Sequence, residues 1–432
     1  MDFKDTLERI NYFEELLPIS QMELMGINIW PILRTFYVST NDKNHFLKPK
    51  ITFDKLKIFD FNLKKIKSKD LFFSYANDPS GTIKLDKKYI QKQAFVLKKY
   101  KSKDLKTVEF GLPIGPNNRD SFQITGLYFF FKIFFFFNYK KKKILKSELI
   151  NLKERIINDL TYYDIPFYDN EIKEFFCRKY FFDILLNYLK PKSIYLKSFN
   201  NINAFAICAS SKDLNIETFE YQHGQQGEYS LTYSSWKNIP KEGYSILPKV
   251  FMLWDKIFSA KFEKWISNQE YHRLEIVENY WVKFVKSNSY LFPKITIDNN
   301  YINVVVCLQS LKIPELIIEL LNNEDRLKWH FRLHPKDLGK IEIFKKTLNQ
   351  IGINPLKVDL ITTNQTPIES VLKSFNTFIT EWSTVAYEAY LSEKKSIVIG
   401  NKGYNAYHFF IKGGGILFAE NSKDLLKYLI SK

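Results

Sequence analysis

The chain has 432 residues, 45% of them hydrophobic, which is too long for one ordinary core and suits two α/β domains of roughly 150 to 250 residues each. Its formal charge of +17, from 64 lysines and arginines against 47 aspartates and glutamates, suits nucleic acid, an anionic sugar donor or a membrane surface. Three cysteines, Cys177, Cys208 and Cys307, lie far apart in apolar or strand-like settings, which excludes a disulfide framework and a paired-cysteine zinc site and fits a reducing compartment.

The N-terminal stretch MDFKDTLERINYFEELLP is charged, helical in spacing and without the apolar segment of a signal peptide, so a cytoplasmic location is expected. KDLFFSYAND (69–78) predicts a strand that ends in a polar loop at Asp78, and GLPIGPNNRD (111–120) predicts a loop from its Gly, Pro and Asn content. Residues 124–143, ITGLYFFFKIFFFFNYKKKK, hold an aromatic run interrupted by Lys132 and closed by four lysines, Lys140 to Lys143. The run is about 14 residues long, against the roughly 20 that a spanning helix needs, so it does not cross a bilayer. It is either a buried element of an irregular insert over 110–170 or a segment resting on anionic lipid with its lysines at the headgroups.

From about residue 172 the pattern becomes regular. EIKEFFCRKYFFDILLNYLK predicts a long apolar helix, KSIYLKS a strand, NINAFAICASSKDL a helix and IETFEYQ a strand, a βαβ unit that implies a parallel sheet. VFMLWDKIFSAKFEKW adds a strand and a helix, a charged helix is expected around 269–286, and Phe292-Pro293 marks a boundary. A second α/β series follows: YINVVVCLQS, LKWHFRLHP, NTFIT and SIVIG as strands, with helices at IPELIIELLNN, IEIFKKTLNQ, TPIESVLKSF, STVAYEAYLSEK and SKDLLKYLIS. In TPIESVLKSF, Thr366 as N-cap, Pro367 in the first turn and Glu369 at the third position predict a capping box. The expected fold is α/β, with a first Rossmann-like domain over 1–288 and a second over 289–432 facing each other across a cleft.

Ligands of open parallel sheets bind beyond the carboxyl ends of strands, so three strand ends carry the chemistry. In LKWHFRLHP the period of two puts Trp329, Phe331 and Leu333 on one face and His330, Arg332 and His334 on the other. His334, stiffened by Pro335, can donate a hydrogen bond to a phosphate and Arg332 can add a fixed charge; the alternative is that Arg332 and His330 are partnered inside the sheet. In NTFITEWSTVAYEA a helix begins near Ser383 or Thr384, whose hydroxyls and the helix N-terminus form a phosphate cradle unless they serve only as the cap. Glu388 lies four residues beyond Thr384 on the same face, placed either for ribose hydroxyls or for an ion pair with Lys394 or Lys395. In FEYQHGQQGE, His223 beside Gly224 is flanked by Glu220 and Glu228, a set able to perform general base chemistry or covalent attack on a sugar carbon.

These residues resemble bacterial glycosyltransferases of the GT-B architecture, and among them the capsule-polysaccharide and Kdo-transferase group that uses CMP-activated acidic sugars. The resemblance is carried by the Gln222-His223-Gly224 turn, by Arg332-x-His334-Pro335, and by Ser383-Thr384 leading into Tyr387-Glu388-Ala389. GINIWPILR at 26–34 resembles an N-terminal signature of surface-carbohydrate enzymes, while residues 40–170 carry no resemblance. The resemblance implies that His334 and the Ser383-Thr384 pair hold the donor phosphate and that Glu388 holds the ribose, with Gln309, Arg332, Pro335 and Glu381 completing the donor site. It implies an acceptor-binding first domain whose catalytic candidates are His223, Glu220 and Asp78, the two carboxylates for an adduct with the sugar. The paired-acid-Gly motif that supplies the base in bacterial sialyltransferases has no clear copy here.

The expected partners are therefore a nucleotide-sugar donor, with the CMP-sugar as substrate and no other cofactor, and a glycan or glycolipid acceptor of the cell surface. UDP, dTDP and CDP-glycerol donors are the alternatives within the fold. Asp337 and Asp359 are isolated rather than paired in a metal-binding motif, which predicts metal-independent transfer. The alternative of another class is a basic nucleic-acid or membrane-binding protein without catalysis, whose lysines provide the affinity; no RNP, helix-turn-helix or finger pattern supports it, and nucleic acid is not an expected partner. The expected location is the cytoplasm, with peripheral contact to the inner face of an anionic membrane.

Overall fold

Runs of β-branched and aromatic residues bounded by polar turns become the strands of two parallel sheets, each in its own compact unit. The computed structural model describes residues 3–16, 19–41, 62–75, 78, 81–85, 88–111, 120–137, 139–224, 226, 230–353 and 358–431. Glu228 and nearly all of the loop expected at 111–120 lie outside the described residues. Unit 1 is Met1–Glu278 and unit 2 is Asn279–Lys432. The division thus falls at 278/279 rather than 288/289, because the helix Tyr280–Ser287 belongs with unit 2, where Trp281 Nε1 donates to Glu369 Oε1 (2.8 Å).

The sheet of unit 1 has strands β1 (Asp70–Tyr75), β2 (Lys106–Phe110), β3 (Phe122–Gln123), β4 (Ser193–Leu196), β5 (Glu217–Tyr221), β6 (Val250–Leu253) and β7 (Arg273–Ile276). Their order is β7-β6-β5-β4-β1-β2-β3, and every neighbouring pair is parallel. The chain winds outward from β1 through β3, then returns to the other side of β1 as β4, which makes the β1/β4 junction a topological switch point. The return passes through three helices, Thr125–Phe137, Tyr139–Tyr162 and Asp169–Leu189. The last buries Phe175, Phe176, Phe181, Phe182, Leu185 and Leu186 and sets Phe182 edge-on against Phe73 of β1, with centroids 5.8 Å apart.

Unit 2 repeats the plan with β8 (Ile302–Cys307), β9 (Leu327–Arg332), β10 (Val358–Asp359), β11 (Thr377–Thr380), β12 (Lys395–Ile399) and β13 (Leu417–Ala419). The order β10-β9-β8-β11-β12-β13, parallel throughout, is the doubly wound dinucleotide-fold order with its switch point between β8 and β11. Trp329, Phe331 and Leu333 pack with Val304, Val306 and Ile379 on one face of this sheet, while Val305 and Phe378 meet Phe375 and Val371 on the other. Two parallel α/β units are therefore present, as the alternating pattern predicted.

Three local expectations are corrected. The segment expected as a helix around 269–286 forms the edge strand β7 before the helix Tyr280–Ser287, because Arg273, Leu274, Glu275 and Ile276 pair with Val250 to Leu253. The capping box at 366–369 does not form: the helix is Ile368–Ser374 with no side-chain cap, and the buried Glu369 accepts from Trp281 instead. The aromatic run at 124–143 is one helix, Thr125–Phe137, and the first turn of another; Tyr128 is buried while Phe129, Phe130 and Ile133 are exposed, so the two alternatives weighed for it are not exclusive.

Candidate functional site

In unit 2 the strand register fixes which groups reach the carboxyl edge together. Cys307 of β8 is level with Arg332 of β9 on one side and with Thr380 of β11 on the other. Gln309, His334 and the turn Glu381–Thr384 therefore leave the sheet at one edge, with the β9 and β11 ends two strand spacings, about 10 Å, apart. The β11 turn is stapled to β8 by Thr380 Oγ1, which donates to the Cys307 carbonyl (2.8 Å). Ser383 Oγ accepts from the Val385 N–H (3.3 Å), which leaves its O–H to donate outward, and the buried Tyr407 hydroxyl donates to the Ser383 carbonyl (2.6 Å). The helix that follows, Val385–Leu391, has only seven residues, and Thr384 at its N-cap makes no side-chain cap hydrogen bond.

His334 leads into a 3-10 turn, Pro335–Lys340, with Pro335 at its first position. Its Nδ1 accepts from the Lys336 N–H (3.2 Å), so the ring proton of the neutral imidazole sits on Nε2, a donor with no partner among the described residues. Burial, then the charge of Lys336, pull the imidazole below its ordinary range against Asp337. His330, by contrast, is held inside the sheet between Asp359 (Nδ1, 2.7 Å) and Asn303 (Nε2, 2.9 Å), the partnered alternative read for it. Asp337 pairs with Lys340 (2.6 Å).

Arg332 was expected at a phosphate. Its Nη1 instead donates to the Thr363 carbonyl and to that of Thr366 (2.9 Å), which ties the 363–366 turn to the end of β9. Asn364 completes that tie, accepting from the Leu333 N–H (2.8 Å) and donating to the Phe331 and Leu360 carbonyls (2.7 and 2.8 Å). Burial lowers the Arg332 pKa against the opposing charges of Cys307, Glu369 and Glu388, so Glu388 lies within electrostatic reach of the guanidinium. Lys394 and Lys395, the other partners weighed for Glu388, bond to Asn376 and to the carbonyls of Tyr428 and Ser431.

Two cations that the sequence reading did not single out do face this edge. Glu381 is raised by burial against the pull of Lys402 and Lys312, both exposed. Lys402 also lies 4.6 Å over the Trp382 ring. It arrives on the helix Gly400–Lys412, whose Gly403 packs so closely on the β11 turn that a methyl group there would overlap the Glu381 carbonyl oxygen. Neither that helix nor Tyr407 within it was read from the sequence; the strand-end Gly-Asn-Lys-Gly at 400–403 was the available signal.

Unit 1 collects its own set at the β1/β4 switch point. Asp78, beyond β1, forms an ion pair with Lys197, beyond β4, and accepts from the Gly81 N–H (3.1 Å). A side chain at Gly81 would occupy the space of both charged groups. His223, beyond β5, lies in the same field: burial first and the Lys197 charge second push its pKa down to about 4, against Asp78 and a hydrogen bond with the Lys197 backbone. Its Nδ1 is buried without a partner 4.0 Å from Glu220 Oε1. Glu220 is only 2% exposed and is pushed up to about 8 by burial, which outweighs the donors Tyr233 (2.7 Å) and Gln226 (3.2 Å).

The structure thus brings His223, Glu220 and Asp78 together, as the sequence reading grouped them. It does not suit the two carboxylates to form a sugar adduct: Glu220 is buried with its carboxyl pushed up to about 8, and Asp78 is engaged by Lys197. Lys197 and Tyr233 were missed. Tyr233 is placed by the N-terminal motif, since the buried Arg34 of WPILR pairs with the buried Glu14 and donates to the Leu231 and Ser234 carbonyls on either side of it (2.8 and 2.7 Å). A separate cavity of about 250 Å³, lined in part by Lys65, Lys98, Lys106 and Ser121, lies at the amino-terminal end of β2, away from these groups.

No protein-family model matches the chain, and no curated protein matches it. Among solved structures it is similar to UDP-N-acetylglucosamine 2-epimerase, with TM-score 0.48, 10% identity, and 84% of this chain and 87% of that one covered. It is also similar to Anabaena HepE in complex with UDP and glucose, with TM-score 0.44, 9% identity and coverage of 84% and 89%. A third similar structure is the wall teichoic acid polymerase TagF, with TM-score 0.40, 10% identity and coverage of 96% and 88%.

Proposed function

We propose that the chain is a glycosyltransferase that takes its sugar from a nucleotide-activated donor. The observation that carries this reading is the convergence of Gln309, His334, Ser383 and Thr384, with Lys312 and Lys402, on the carboxyl edge beside the β8/β11 switch point. Departure of a nucleotide phosphate piles negative charge on the leaving oxygens, and donors fixed in advance at that place lower the barrier. His334 Nε2–H and the Ser383 hydroxyl are such donors, Lys312 and Lys402 supply charge, and Thr384 and Glu388 are assigned to the phosphate edge and the ribose hydroxyls.

Unit 1 is assigned to the acceptor. His223 is assigned as the base for the acceptor hydroxyl. Asp78 and Lys197 set the field at the imidazole, and Glu220 with Tyr233 supports it from beneath. The finer donor assignment, a CMP-activated acidic sugar of the Kdo or nonulosonic type, rests on the motif resemblance and on the basic balance of the chain. Transfer to a surface glycan without a metal is part of the same assignment.

A panel of nucleotides in thermal-shift and calorimetric titrations tests the reading. A cytidine nucleotide should raise the melting temperature most, and His334→Ala should weaken its binding roughly ten- to a hundredfold, the worth of one hydrogen bond to a charged group. Stronger stabilisation by UDP or dTDP would keep the transferase and change the donor. No response to any nucleotide would sink the assignment of unit 2.

A further inference from the structure

We propose that the outer face of the helix Thr125–Phe137 is a docking surface for an anionic lipid bilayer. The helix has two unlike sides. On the inner side Tyr128 packs on Phe181 and Phe110 (centroids 5.4 Å each) and donates to Glu174 (2.8 Å), Phe131 packs on Phe181 (5.5 Å), and Lys132 pairs with Glu174 (2.7 Å). These contacts fix the rotation of the helix about its axis. On the outer side Phe129 and Phe130 are each 42% exposed and Ile133 is 40% exposed, at the i, i+1, i+4 spacing that shares one face.

Such a patch needs a cover, and charge chooses between the candidates. The next helix, Tyr139–Tyr162, starts with Lys140 to Lys143, and Lys143, Ile144 and Lys146 in its first turns are exposed. A second copy of the chain would bring the same lysines and another net charge of +17 to the contact. An anionic leaflet complements both features at once, apolar rings at the acyl boundary and ammonium groups at the headgroups. The helix is about 20 Å long by its residue count, which suits lying in the interface. No described helix is long and apolar enough to cross a membrane.

The inference goes beyond the transferase reading and stands without it. Its test is flotation of the full chain with vesicles of phosphatidylcholine alone or mixed with phosphatidylglycerol, in which no nucleotide or sugar is present, so either reading can fail alone. The wild type should float with the mixed vesicles and much less with the neutral ones, and added salt should release part of it. Phe129→Ser with Phe130→Ser should lower the bound fraction at least about tenfold, and Lys143→Gln with Lys146→Gln should lower it on mixed vesicles only. Ile133→Ser, a single change of an exposed side chain, repeats the measurement should the double variant melt early. Wild type that stays with neither vesicle, or serine variants that float like wild type, overturn the proposal. A dimer in light scattering that the serine variants convert to monomer also overturns it in favour of a second copy.

Discussion

Glu220 and His223 stand three residues apart and are driven in opposite directions by one cause. Burial disfavours charge on either, so the carboxyl is pushed up to about 8 and the imidazole down to about 4, and both are neutral at pH 7. The signs differ for stability. Glu220, with its folded pKa raised, contributes in full below its ordinary 4.5 and loses that contribution as pH rises through about 8. His223, with its folded pKa lowered, contributes in full above its ordinary 6.5 and loses it as pH falls through about 4. The two oppose each other between 4.5 and 6.5, and Glu220 acts alone above that window. The melting temperature of the wild type should therefore fall from pH 6.5 to pH 8, and Glu220→Gln, which cannot ionise, should flatten that limb. The slope at stake is at most about 1.4 kcal/mol per pH unit. An unchanged slope in the glutamine variant would mean that Glu220 is already ionised in the folded protein.

At the scale of elements, the site of unit 2 depends on how closely the helix that carries Lys402 is seated. Gly403 lets the helix Gly400–Lys412 touch the turn after β11, and the same helix brings Lys402 over Trp382 and Tyr407 under Ser383. Gly403→Ala would push the added methyl onto the Glu381 backbone, which cannot rotate away as a side chain would. Nucleotide affinity should fall at least about tenfold, with a loss of stability of about 1 to 3 kcal/mol from overpacking, as read by calorimetry and denaturant melts. Affinity kept while stability drops would detach the helix from the site.

This dependence also shows what the sequence could and could not convey. The places of His334 and Ser383-Thr384 beyond strand ends were legible because each follows a short apolar run that a polar turn closes. Lys312 and Lys402 were not, because they come from neighbouring loop and helix starts that only the β8/β11 adjacency unites. Glu369 and Arg332 misled for the same reason: local spacing offered a cap and a phosphate contact, while tertiary partners, Trp281 and the 363–366 turn, claimed both side chains. The edge strand β7 was read as helix because its charged residues, facing solvent, mask a four-residue ladder with β6.

Over the whole molecule, two sheets of the same winding each carry a polar cluster beside their own switch point, and each has its own apolar core. In unit 1 the cluster is a charged pair, Asp78–Lys197, with a neutral histidine; in unit 2 it is a set of donors and two lysines. The first suits proton transfer and the second suits holding an anion, so under the proposed transfer the two tasks fall to separate units. A substitution in one unit should then leave the other task intact. His223→Ala should keep cytidine-nucleotide affinity within about twofold of wild type, since additivity holds for sites without shared partners. Its turnover should fall about a hundredfold or more, the usual worth of a general base. The complementary variant, His334→Gln, retains an N–H donor near the position of Nε2 and should recover part of the affinity that His334→Ala loses. Loss of nucleotide binding in His223→Ala, measured on protein that melts like wild type, would place the nucleotide in unit 1 and reverse the division of labour.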